Sequence, residues 1–439
     1  MTDASTSGNM SPELLKVVER AQREPEGRFH SLAHLIDVPA LARSFHRLRK
    51  EAAVGVDGVT KASYGEALEA NLADLYGRLK AKRYRHQALR RGRVPKGKGQ
   101  WRPIGISALE DKIVQDAVRE VLEAVYEQDF LDCSYGFRPK RSAHDAVRAL
   151  NRAVHRGKVS WILEADIASF FDSLDRTQLK EMLQIRIADG SLLRLIGKCL
   201  HVGVLDGEAY SEPDRGTTQG SVLSPLLGNV YLHYVLDVWF EREAKPRLGG
   251  AATLIRYADD FIIGFEHRED AQRVMTVLEK RFERYGLALH PGKTRLIAFG
   301  RPLASQCDGK GPGTFDFLGF TFYWGRTRRG RWMMLCKTRH ARLRRTMQSV
   351  AEWCRRYRHL PVQAQHAALK RRLVGHFNYF GVNGNFRSLA GLVHETKHAW
   401  FKWLRRRSQR TRLNWERFER LLERYPLPRP RLTVRIWGP

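Results

Sequence analysis

Three aspartates stand out by what surrounds them. Asp166 closes an apolar run at residues 161–167 (WILEADI), and Asp259 and Asp260 sit in the middle of residues 254–265 (LIRYADDFIIGF). Short apolar, β-branched runs read as strands, and two of them around an acidic tip read as a hairpin. A carboxylate wedged between Ala165 and Ile167 is an awkward place for a merely solvated charge. Asp166 and Asp259 are 93 residues apart, so only tertiary folding can make them neighbours. Carboxylates on rigid strands suit in-line attack of a hydroxyl on a phosphate. There two divalent ions, about 3.5–4 Å apart, stabilise the attacking and leaving oxygens. Magnesium prefers hard oxygen ligands and shares its shell with substrate phosphates. Each motif alone also has an ordinary reading, as an edge-strand surface residue and as an Asp-Asp turn.

The elements that must position these groups are legible from periodicity and caps. Residues 32–52 repeat apolar side chains at helical spacing. Ser63 with Glu66 reads as a capping box before the stripe Leu68, Leu72, Leu75 and Leu79. Residues 89–103 (LRRGRVPKGKGQWRP) read as a basic hairpin or loop. Ser142 with Asp145 opens one helix, and Asp175 with Gln178 another. A Gly-Thr-Thr-Gln-Gly turn at residues 216–220 leads into a long apolar helix, residues 270–285 form an amphipathic helix, and residues 315–323 are strand-like. Beyond about Arg326 strand signals fade and Arg-rich helical stretches take over.

The ordered set resembles group II intron-encoded reverse transcriptases. The Tyr257-Ala258-Asp259-Asp260 box is similar to their catalytic hairpin. Further blocks follow in family order: residues 55–58 (GVDG), 94–96 with 101–106 (VPK, WRPIGI), 134–139 with 142–145 (SYGFRP, SAHD), Asp166 with Phe170-Phe171-Asp172, 216–220 with 224–227 (GTTQG, SPLL), 286–287 with 293–294, and 317–320 (FLGF). The resemblance runs from about Gly55 to Leu427 and implies an α+β right-hand polymerase. Its parts would be an N-terminal helical extension (1–54), fingers (55–160), a palm with an antiparallel sheet (161–325), an all-α basic thumb, or maturase domain (326–404), and a basic tail (405–439).

The resemblance also implies roles. Asp166 and Asp259 would be the principal ligands of two Mg2+ ions, with Mn2+ as a possible substitute. Asp260 would complete the cluster, with help from the Ile167 carbonyl. Lys96 and Arg102 would grip the incoming dNTP triphosphate, although a generic phosphate contact suits them too. Phe171 is similar to the aromatic gate under the sugar, while Phe170 reads as plain core. Gln219 and Gly220 would line the nucleotide pocket; Thr218 stands where the family more often has Pro. Lys293 matches a Lys near the leaving pyrophosphate, or is a surface charge. Arg138 would stack on or fork onto the templating nucleotide, and Tyr257 would contact template or RNA as well.

Composition agrees with a polyanionic partner. Lys and Arg number 77 against 47 Asp and Glu, a formal charge of +30. Arg355, Arg356, Arg371, Arg372, Arg405 and Arg406, interleaved with Trp, Tyr and Phe, suit RNA backbone and unpaired bases, though many of those aromatics must pack the bundle's own core. The five cysteines form no C-x-x-C pair, so neither zinc nor a disulfide framework is expected. No apolar run has spanning length, and residues 1–10 lack a secretory pattern, which points to the bacterial cytoplasm or nucleoid. There is no Cys beyond Cys354, so the family's optional endonuclease module is not expected, and a primer would come from elsewhere. The expected activity is RNA-templated DNA synthesis with binding of intron RNA to assist splicing and mobility. The other readings are a non-enzymatic splicing maturase with a scaffold palm, and a reverse transcriptase recruited to defence or repair.

Overall fold

The computed structural model describes residues 10–97, 100–156, 158–206, 209–211, 216–217, 220–302, 313–327, 330–408 and 413–436. Two capped helices come first. In α1 (Pro12–Arg23) the Ser11 hydroxyl accepts from the Leu14 N–H, and in α2 (Val38–Arg47) the Asp37 carboxylate accepts from the Ala40 N–H. Each has Pro in its first turn, where a missing N–H costs nothing. The Ser63 capping box is corrected. Thr60 caps the short α3 (Lys61–Gly65), with Ser63 as its N3 partner, and a new helix, α4 (Leu68–Lys80), starts after Ala67. Two hydroxyls three residues apart close the box reciprocally, so Glu66 is not needed.

The basic segment is a hairpin. β1 (Leu89–Gly97) and β2 (Gln100–Ile106) pair antiparallel, and β4 (Val204–Asp206) adds parallel to β1, with β5 (Ala209–Ser211) outermost. The helix α5 (Leu109–Asp129) follows, buried along most of its length, and its buried carboxylates are paired: Arg47 meets both Asp116 and Glu120. Ser142 and Asp145 cap α6 (Ala143–Arg156) reciprocally, as read from sequence.

The central sheet is four-stranded and fully antiparallel, in the order β6-β7-β3-β8. Its members are β3 (Trp161–Asp166), β6 (Ala252–Tyr257), β7 (Asp260–Phe265) and β8 (Arg295–Ala298). Successive side chains alternate faces. Leu163, Ala165, Leu254, Phe261 and Ile263 meet one apolar core, shared with α1, α2 and α5. Ile162, Ile255 and Ile262 meet a second core, shared with α6 and the C-terminal helices. The sheet is thus a wall between two cores. Between its strands lie α7 (Phe170–Ser173), α8 (Arg176–Arg186), α9 (Gly190–Leu200), α10 (Ser224–Leu232) and α11 (Arg268–Arg284). The chain continues α10 through wider π-type turns at His233–Asp237 and Phe240–Ala244.

A three-stranded sheet, β9 (Phe315–Phe317), β10 (Phe320–Arg326) and β11 (Trp332–Thr338), leads to the helices α12 (His340–Arg356), α13 (Val362–Phe380), α14 (Phe386–Arg405) and α15 (Trp415–Arg424). The expectation that strands end near Arg326 is corrected: β10 and β11 pair over seven residues, Phe320↔Thr338 to Arg326↔Trp332. Strands and helices together make an α+β right hand of fingers, palm and thumb. Among the described residues no helix is long and apolar enough to cross a membrane.

Candidate active site

The strand register brings the aspartates together. Asp166 is the last residue of β3, Asp260 the first of β7, and the two are Cα partners across the ladder. Side chains so placed share one face. Asp259 precedes Asp260 in the tight turn between β6 and β7, where Ala258 adopts a left-handed backbone, φ +56. Burial raises the Asp259 carboxyl, and the negative charge of Asp166 raises it further, while Arg102 and Lys293 pull it down. Burial and Asp166 push Asp260 up to about 7, against a backbone hydrogen bond from Leu318. Three carboxylates that strain against one another this way lack positive charge. Lys293 supplies some: its ammonium pairs with Asp166.

The donors are hard oxygens only, the chemistry magnesium takes. Among the described residues no three His, Cys, Asp or Glu side chains meet closely enough to hold an ion. The aspartates therefore fit a divalent ion by donor type and strand register, not as a preformed cage. Ile167, buried, bridges to Leu289, and the Asp166 carbonyl accepts from the His290 N–H at 2.8 Å, which pins the end of β3.

A buried network that sequence reasoning missed supports the turn. Arg256, fully buried in β6, donates from Nε and Nη2 to the two oxygens of Asp237 at 2.7 and 2.5 Å. Its Nη1 donates to Asn229 Oδ1 at 2.9 Å and to the Ala258 carbonyl at 3.1 Å, and its Nη2 to Ser134 Oγ at 2.8 Å. Asn229 Nδ2 in turn donates to the Gly136 carbonyl at 2.7 Å. A Cβ on Gly136 would lie 2.4 Å from the Ala258 nitrogen, so only glycine allows this approach. The sequence did hold a signal: a charged residue between Ile255 and Tyr257 in an apolar strand needs a buried partner.

Around the aspartates stand several of the expected nucleotide contacts. Arg102 is exposed on β2, and its charge acts on both Asp259 and Asp172. Phe171 is half-buried in α7 against buried Phe170, ring centroids 5.1 Å apart. The Phe171 carbonyl accepts from the Thr217 N–H at 2.7 Å. Gly220, φ +112, approaches the Gly105 carbonyl so closely that a Cβ would sit 2.7 Å away. The structure thus brings Gly220 against the fingers hairpin and the 216–217 segment against Phe171. Gln219 lies outside the described residues, as does the Lys96 side chain, whose backbone belongs to β1.

The Arg138 assignment is corrected. Its side chain is buried, and its five N–H donors go to Glu127 and to the carbonyls of Phe130, Leu131 and Ser134. A guanidinium bound on all sides from within cannot fork onto a template phosphate. Tyr257 is half-buried, its ring 6.4 Å from that of Phe137.

In the thumb, Arg355, Arg356, Arg371, Arg372, Arg405 and Arg406 are all exposed. Several lie over aromatic faces, Arg355 and Arg406 on Trp403 and Arg372 on Trp353. Trp400, Phe377 and Phe380 are core residues.

The family model described as "Reverse transcriptase (RNA-dependent DNA polymerase)" matches residues 94–322, more than half of the chain. The chain belongs to that family of nucleic-acid polymerases. Within it, the relatives point to the group II intron reverse transcriptase/maturase branch. "Protein YkfC" of Escherichia coli (strain K12) is 32% identical over 284 residues, 56% of this chain and 74% of that protein. "Group II intron-encoded protein LtrA" of Lactococcus lactis subsp. cremoris is 37% identical over 187 residues, 41% of this chain and 31% of that protein. "Nuclear intron maturase 3, mitochondrial" of Arabidopsis thaliana is 25% identical over 220 residues, 44% and 30%. The chain thus aligns with less than a third of the two proteins whose names carry the words intron-encoded and maturase.

Proposed function

We propose that this chain is an RNA-directed DNA polymerase that extends a primer 3′-hydroxyl with dNTPs and also binds intron RNA to assist splicing and mobility. The observation that carries the reading is the register of Asp166 opposite Asp260, with Asp259 in the adjoining turn. Asp166, Asp259 and Asp260, with the Ile167 carbonyl, would hold two Mg2+ ions, or Mn2+ in their place. Those ions supply Lewis-acid stabilisation of the attacking and leaving oxygens. The protein's own groups do the rest. Arg102 faces the site from the fingers and, together with Lys96, would neutralise the triphosphate; a guanidinium fork suits a phosphate's geometry. Phe171, with Gly216 and Thr217 at its back, bounds the sugar. Lys293, paired with Asp166, offsets its charge and would serve the departing pyrophosphate. The exposed thumb arginines track the RNA backbone.

Purified protein with Mg2+, a DNA primer and an RNA template tests the reading. Extension is expected. Asp259→Asn should lower it by roughly 10³-fold or more, the loss typical of a group that stabilises transition-state charge. RNA binding should be unchanged. Undiminished extension by D259N sinks the assignment of the site.

A further inference from the structure

Of residues 134–139, Ser134, Tyr135, Gly136 and Arg138 are buried and Pro139 is half-buried, yet Phe137 is 57% exposed. Its backbone is left-handed, φ +57, a region that bulky side chains avoid. An exposed apolar ring gains little from burial, and its backbone gains nothing from its conformation. Folding alone gives no reason for phenylalanine here; Asn or Gly would suit that backbone better. The loop is nevertheless rigid. Arg138 anchors it from below through its five donors, and Asn229 holds the Gly136 carbonyl. Gly136 lies against Ala258 of the catalytic turn. The Phe137 ring is 6.4 Å from that of Tyr257, tilted by 41°, just before Asp259. A rigidly mounted, exposed aromatic face thus stands beside the aspartates.

We propose that Phe137 is a base-stacking residue, its ring meeting the face of a nucleobase in the primer–template held at the catalytic turn. This rests on the polymerase reading. Every base has a π-face, so an aromatic can hold any sequence this way, which a templated enzyme needs. The strand pair is favoured over the incoming nucleotide because the ring partners Tyr257, not Phe171.

The test uses the full chain with Phe137→Asn, Phe137→Ala and Phe137→Tyr, a labelled DNA primer annealed to an RNA template, and Ca2+ in place of Mg2+. Fluorescence anisotropy then reads binding without synthesis. F137N should melt no lower than the unaltered protein, since Asn tolerates the left-handed backbone. Its Kd for the primed template should rise by roughly tenfold, as loss of one stacked base does. F137Y should restore binding. In Mg2+, F137N should raise the KM for primed template while the KM for dNTP stays fixed. The proposal is overturned if F137N binds the primed template as the unaltered protein does. It is equally overturned if only the KM for dNTP rises, or if F137N melts lower and F137Y restores stability with no gain in binding over F137A. Because binding is read without catalysis, these outcomes are separate from that of D259N, which tests the polymerase reading itself.

Discussion

Six non-glycine residues among those described have positive φ, and four of them ring the aspartates: Phe137, Ser169, Ala258 and Leu318. Such backbones cost of order 1–3 kcal/mol each and persist only where the surroundings over-determine them. Here the surroundings are visible. Arg256 holds the Ala258 carbonyl, and the Leu318 carbonyl accepts from Tyr379 Oη at 3.0 Å. The Arg256–Asp237 pair is fully buried, and a buried charge left without its partner is costly. Arg256→Ala should therefore destabilise the fold by about 3–5 kcal/mol, read by urea denaturation. A loss below about 1 kcal/mol would show that water reaches the abandoned Asp237. At this scale the three aspartates were legible at once, because apolar strands frame them. It misled on Arg138, since aromatic neighbours suit an external cation–π contact and an internal clamp equally well. Only the position of Glu127, eleven residues earlier on α5, decides between them.

The hairpin of Asp259 and Asp260 is aligned by a neighbour that is not a full strand. Residues 133–135 run beside β6, with the Tyr135 N–H on the Arg256 carbonyl and the Arg256 N–H on the Cys133 carbonyl, each 2.8 Å. This edge brings Gly136 onto the turn. Gly136→Ala should push the turn away, since its Cβ has no room beside the Ala258 nitrogen. Misplacement by about 1 Å typically costs roughly 10²-fold in rate. A drop of that size in kcat, with RNA affinity unchanged, is expected from steady-state primer extension; full activity would mean that the turn tolerates the shift. The fingers hairpin, the hairpin of Asp259 and Asp260, and the helix starts at Ser142 and Asp175 were readable from turn chemistry and alternation. Strand β11 was not: WMMLCKT alternates weakly, and Arg-rich flanks at 328–331 and 339–345 dominate any window drawn over it. Its pairing with β10 is a tertiary fact, set by the core that Phe322, Met334 and Cys336 fill.

Taken whole, the molecule carries a formal charge of +30, and the six thumb arginines named above are solvent-facing. Each phosphate neutralised releases counterions, so affinity falls as salt rises. Between 50 and 200 mM salt, RNA affinity should fall by about 10³-fold if six phosphates are engaged. Replacing Arg371 and Arg372 by Gln should flatten the log–log slope by roughly one to two units. An unchanged slope would place the RNA elsewhere. The charge excess was plain from composition; which arginines face outward was not, because Arg256 and Arg186, both buried, look no different in the sequence.

The central sheet has a core on each face, and one of them is closed by helices α13 and α14. A ribosome delivers the strands of that sheet long before it delivers those helices. Until they emerge, the core on the Ile162, Ile255 and Ile262 side has α6 and the β9–β11 sheet but lacks its outer helices, and it stays incomplete. The nascent chain should thus stay open to proteases and chaperones until about residue 400 has cleared the exit tunnel, and its hairpin of aspartates should form late.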